Sequence, residues 1–117
     1  MNENISVEKS FCFAVRIVKL YQYLTQKKKE YVMSKQVLRS GTSIGANISE
    51  AQRGQSRADF LAKMSIALKE ANETEYWLRL LYQTGYLTEK QFKSLQADID
   101  ELLRIVTAIC KTAASNR

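Results

Sequence analysis

The sequence predicts an all-α protein, an antiparallel up-down-up-down bundle of four helices. Three observations lead there. The 117 residues include no proline and only four glycines, so few turn signals interrupt the chain. Apolar residues recur at helical steps of three and four over four long stretches. Short polar links separate those stretches, and short links join antiparallel neighbours. A chain of this length buries roughly two-thirds of its unfolded surface, enough for one core. The whole of 1–117 therefore reads as a single domain.

The first helix is expected over 6–28. Ser6 can cap it and Glu8 sits in the first turn, where a negative charge favours the helix dipole. Val7, Phe11, Ala14, Val18 and Tyr21 form the apolar stripe, broadened by Ile17, Leu20 and Leu24. Lys27, Lys28 and Lys29 suit the negative end of the dipole. The second helix is expected over 34–52, with Val37, Gly41, Ile44, Ile48 and Ala51 facing inward. Gly41, Gly45 and Ser49 stack at intervals of four, which lets two backbones approach closely despite the intrinsic cost of glycine in a helix. A continuous helix is preferred over a break at Ser40–Gly45 with a start at Thr42.

The third helix is expected over 57–84. Ser56 caps it with Asp59 at the capping-box position, and Gly85 ends it. Phe60, Met64, Ala67, Ala71, Thr74, Leu78 and Leu81 make its seam. Thr88 and Gln91 form a second capping box for the fourth helix, expected over 89–112. Its seam is Phe92, Leu95, Ile99, Leu102, Val106 and Ile109, and the tail beyond Thr112 is expected to fray.

Composition narrows function mainly by exclusion. With no histidine there is no Ser-His-Asp triad, no His-ligated zinc and no Glu-x-x-His di-iron site. Glu70, Glu73 and Glu75 are the densest carboxylates, but 70 and 73 share a helix face while 75 points elsewhere. No metal site, no cofactor and no catalytic residue is therefore assigned, and the chain is expected not to be an enzyme. Carboxylate or lysine chemistry is what absence of histidine leaves open. No signal peptide or membrane-length apolar run is visible, so a cytoplasmic protein is expected. In that compartment Cys12 and Cys110 read as reduced, small apolar core residues.

The net charge of +6 is uneven: residues 1–55 carry nine basic and four acidic groups, while 56–87 are balanced. Such a basic half can attract phosphates, or serve only as a solvated surface. The candidate phosphate contacts are Arg16, Lys19, Lys27, Lys28, Lys29, Lys35, Arg39 and Arg53. Asn47 and Glu50 share a face of helix two and are expected to form a polar clamp, with Glu73 joining them in one layer between helices two and three. Tyr76 and Trp77 are adjacent, so they point about 100° apart and cannot both enter one core. They are candidates for an oligomer interface.

The run from Arg39 through Ser-Gly-Thr-Ser-Ile-Gly-Ala-Asn-Ile-Ser-Glu to Ala51, followed by Gln55 to Phe60, resembles the signature of the 23S rRNA-intervening-sequence, or S23, family. Ile66 to Leu78 and Thr84 to Leu87 continue the likeness, which spans about residues 8–112. The commoner family form reads Ser-Ile-Pro-x-Asn-Ile-Ala-Glu-Gly. Here Gly45, Ser49 and Ala51 depart from it, while Asn47 and Glu50 match. The resemblance implies a four-helix bundle that assembles into a barrel-like homopentamer. It also implies kinship with accessory variability proteins of diversity-generating retroelements, basic pentamers that bind nucleic acid and a reverse transcriptase. Five copies of a +6 chain would carry about +30, a steering and salt-sensitive field. Two functions follow as expectations: a basic homo-oligomer that binds structured RNA or other nucleic acid by charge and shape, or a protein-binding scaffold without a nucleic-acid role. No membrane partner is expected.

Overall fold

The computed structural model describes residues 3–115. Helix α1 spans Glu3–Gln26, α2 Met33–Ala51, α3 Arg57–Gln83 and α4 Glu89–Ser115. Each helix packs on its neighbours in sequence, and α4 returns to α1. The result is an antiparallel four-helix bundle, a rod with Cα extents of 47 × 21 × 19 Å.

The links behave as their chemistry demands. Asp59 N–H donates to Ser56 Oγ at 3.1 Å. Thr88 and Gln91 bond reciprocally, at 2.8 and 3.1 Å. After α3 the chain turns through Gly85 at φ +88°. Gly85 N–H donates to the Tyr82 carbonyl and Tyr86 N–H to that of Leu81, the paired bonds of a Schellman cap. Leu87 then tucks into the core.

Helix α2 is continuous, and its seam of Val37, Gly41, Ile44, Ile48 and Ala51 is buried. A Cβ on Gly41 would lie 2.8 Å from Ile17 Cγ1, and one on Gly45 3.2 Å from the Ser10 carbonyl oxygen. The two glycines therefore let α1 lie close against α2. Ser49, the third small residue of that row, is exposed. The expected seams of α3 and α4 are also buried, apart from Phe60 and Phe92 at their half-buried first turns.

Helix α1 corrects the expectation in three ways. It begins at Glu3, so Ser6 is no cap; its side chain is buried inside the helix. It ends at Gln26, which leaves Lys27–Lys29 in the link with Lys29 at φ +56°. The buried face is Ser6, Ser10, Phe13, Ile17, Leu20 and Leu24. Of the expected stripe, Ile17, Leu20 and Leu24 are buried and Val7, Ala14 and Tyr21 half-buried, but Phe11 and Val18 point away from the core, with Phe11 69% exposed. The buried face is the one that meets the two glycines of α2, with Ile17 against Gly41 and Ser10 against Gly45. Cys12 is likewise exposed, and Cys110 is half-buried. At the C-terminal end α4 stays helical through Ser115, past the expected fraying point at Thr112.

Candidate nucleic-acid interface

The antiparallel path gathers the α1–α2 link, the first turn of α2, the α3–α4 link and the first turn of α4 at one end of the rod. Lys27, Lys28, Lys29 and Lys35 lie there, as do Lys90 and Lys93. Among the described residues, Lys93 pairs with Glu89 at 3.0 Å, while the other five make no ion pair. Lys28 sits over the Tyr23 ring at 6.0 Å. The eight expected phosphate contacts thus split into groups.

Lys19 and Lys27–Lys29 extend along the last turns of α1 into the link, with Lys35 opposite on α2. Arg53 sits at the other end of α2, about 28 Å away by helical rise. Arg16 and Arg39 are engaged internally. Arg16 donates to Asp98 and to Ser94 Oγ across the α1–α4 seam. Arg39 donates to Glu70 at 3.2 Å and to Glu73, clamping α2 to α3. Its bond to Glu73, with burial opposing, holds the guanidinium above its ordinary pKa. The same bond, helped by the Trp77 indole N–H at 3.0 Å, holds Glu73 below the usual carboxylate range. Positive charges so compensated add little to an external field.

The three residues of the expected polar layer have separate partners. Asn47 donates to the Ser43 carbonyl of its own helix at 2.9 Å. Glu50 pairs with Lys63 at 2.9 Å, and that hydrogen bond holds its carboxyl below the usual range. Glu73 joins Arg39 a few turns away. Two ion-pair clamps, and the buried Thr74 hydroxyl donating to Ser40 Oγ at 2.9 Å, therefore link α2 to α3 where one layer was expected. The α3–α4 seam has its own polar link: Gln96 donates to Glu75 and Asp100, both at 2.8 Å.

Sequence reasoning missed Glu30. Its side chain is 8% exposed in the α1–α2 link. The carboxylate accepts from the N–H groups of Val32, Met33 and Ser34 at 3.1, 2.9 and 2.7 Å. Burial pushes its pKa up, but these three donors and the Ser34 hydroxyl outweigh that and hold it below the usual range. A glutamate four residues before a serine, where the helix has no side-chain cap of its own, was the available signal.

Two further surface features frame the site. Phe11, Val15 and Val18 form an exposed apolar stripe along α1, and Ile66 and Tyr76 lie exposed on α3. Helices α1 and α3 are diagonal in the bundle, so the α1 stripe and the exposed Ile66 and Tyr76 lie on opposed corners. Tyr76 is 57% exposed, while Trp77 meets it edge-on and is half-buried. Among the described residues no group of three Cys, Asp or Glu side chains is placed to hold a metal ion. No helix of the described residues is long and apolar enough to cross a membrane.

The molecule is a small basic four-helix bundle with a cluster of unpaired lysines, Lys27, Lys28, Lys29, Lys35 and Lys90, at one end. The chain belongs to the 23S rRNA-intervening sequence protein family, whose model matches residues 2–108. It is similar to a crystal structure of a protein of unknown function from the S23 ribosomal protein family of Bacteroides thetaiotaomicron. The two are 58% identical with a TM-score of 0.93, over 95% of this chain and 99% of that one. No curated protein matches the chain.

Proposed function

We propose that this chain is a non-enzymatic, cytoplasmic accessory protein that self-associates and binds structured RNA or another nucleic acid through the lysine end of the bundle. The observation that carries the reading is the sorting of charge. Arg16 and Arg39 are neutralised by carboxylates across helix seams, whereas Lys27, Lys28, Lys29 and Lys35 are unpaired and gather at one end of the bundle, with Lys19 about 12 Å down α1. Such a surface binds phosphates by charge and shape, with affinity that falls as salt rises. Self-association has its own support. The α1 stripe and the exposed Tyr76 of α3 are different surfaces on opposed corners, which suits a head-to-tail contact, and such contacts close into rings when the rotation permits. The homopentamer of the resemblance is one such ring.

A fluorescent structured RNA titrated into nuclease-treated protein across a salt series tests the reading. The expected result is a steep loss of affinity with salt, shared by unrelated RNAs. Replacing Lys27, Lys28 and Lys29 by glutamate is expected to abolish binding. No binding at low salt refutes the reading. It then favours the scaffold alternative, in which the α1 stripe of Phe11, Val15 and Val18 meets a partner protein.

A further inference from the structure

Within the lysine end stands an aromatic side chain that the core does not use. Tyr31 is 54% exposed and the adjacent Val32 is 73% exposed. Their exposure is built into the link. On one side, Glu30 N–H donates to the Leu24 carbonyl at 2.9 Å. On the other, the buried Glu30 carboxylate holds the N–H groups of Val32 and Met33. Tyr31 is therefore displayed between two anchored points. Among the described residues its ring stacks on no other ring and lies under no cation, unlike Tyr23, Tyr76 and Tyr82.

An aromatic ring held in the open loses exposed apolar contact with nothing in return inside the chain. It also gives a flat surface with only two side-chain torsions to freeze on binding. Every nucleobase has a face that stacks on such a ring, whatever its identity, provided it is unpaired. The surrounding lysines supply what the strand's phosphates need.

We propose that Tyr31, with Val32 next to it, is a stacking platform for an unpaired base of a nucleic-acid strand whose phosphates are held by Lys27, Lys28, Lys29 and Lys35. The proposal rests on the nucleic-acid reading above. It adds that the lysine end prefers single-stranded or looped segments over a continuous duplex.

The test compares a 12-nucleotide oligouridylate with a blunt RNA duplex of the same length, for the wild type, Tyr31→Ala, Tyr31→Phe and the Lys27–Lys29 triple glutamate variant. Tyr31→Ala is expected to weaken binding of the single strand by on the order of ten-fold, the scale of one lost stack, and to leave the duplex unchanged. Tyr31→Phe keeps the ring and is expected to restore wild-type affinity. Both substitutions are at an exposed site and are expected to leave the melting temperature unchanged. If the triple variant loses binding but Tyr31→Ala affects neither ligand, or both equally, the stacking proposal is overturned and the charge reading stands. If the triple variant binds both ligands normally, the charge reading itself is overturned. Sedimentation with phosphatidylglycerol vesicles gives the remaining arm. If Tyr31→Ala loses vesicle binding and not strand binding, the tip is a bilayer wedge and the proposal is overturned.

Discussion

Replacing Glu30 by alanine should destabilise the bundle far more than an ordinary link substitution. Glu30 supplies the only described side-chain acceptor for the first N–H groups of α2. Val32 and Met33 can recover water when it is removed, because both retain exposure. Ser34 is fully buried, so its N–H is left without a partner, at about 2 kcal/mol. Loss of a negative charge at the helix start adds about 1 kcal/mol. The total of about 3 kcal/mol, at roughly 2.1 cal/mol/K per residue of unfolding entropy, lowers Tm by about 12 °C. Glu30→Gln keeps one acceptor oxygen and should lose about half as much. The carboxyl is held below its unfolded pKa, so its contribution is full above about pH 4.3 and fades as pH falls through the folded value. The gap between wild type and Glu30→Gln should therefore narrow below pH 4. Thermal melts at fixed protein concentration from pH 3 to 8 measure both quantities. A Tm loss under 2 °C for Glu30→Ala, or a gap that does not change with pH, would refute this account of the link.

Four further outcomes are expected. Lys29 adopts φ +56°, so Lys29→Gly should raise stability by about 0.5–1 kcal/mol in thermal melts while reducing the slope of log affinity against log salt by about 0.7. Gly41→Ala should destabilise by about 1 kcal/mol in denaturant melts, because the new methyl lies 2.8 Å from the buried Ile17 and overpacking exceeds the gain in helix propensity. Arg39→Gln should change stability by less than about 1 kcal/mol and leave the salt slope of RNA binding unaltered; a slope reduced as much as by a link lysine would show that Arg39 reaches phosphate. Phe11→Glu, at an exposed position, should leave the helical circular dichroism intact and lower the native mass to that of the monomer. An unchanged mass would remove α1 from the assembly.

How much of this was legible varied by helix, for physical reasons. Helices α3 and α4 carry their boundaries in local chemistry: Ser56 with Asp59, Thr88 with Gln91, and Gly85 after the last turn. Each of these acts within a few residues, so the sequence displays it directly. Helix α1 carries two apolar stripes. The expected stripe held Ile17, Leu20 and Leu24, which the core took, together with Phe11 and Val18, which it left exposed in favour of Phe13 and two serines. The buried face is the one that seats Ile17 and Ser10 against Gly41 and Gly45 of another helix, where the missing side chains leave room for them.

The candidate site divides in the same way. Which residues are basic, and that they crowd the first half of the chain, is a property of the sequence. Which of them are free is not. Arg16 and Arg39 look like Lys27 and Lys35 in the sequence, but Asp98 lies 82 residues from Arg16 and Glu73 34 residues from Arg39. Glu30 looked like one more surface charge until the turn of the link aimed three N–H groups at it. The four helices, the caps at Ser56 and Thr88, the stop at Gly85, the family and the sign of the charge were legible in the chain itself, because those rest on interactions within a few residues or on composition. Which face of α1 is buried, which cations are compensated and which lysines meet at one end of the rod were settled by packing, because each depends on side chains brought together across helix seams.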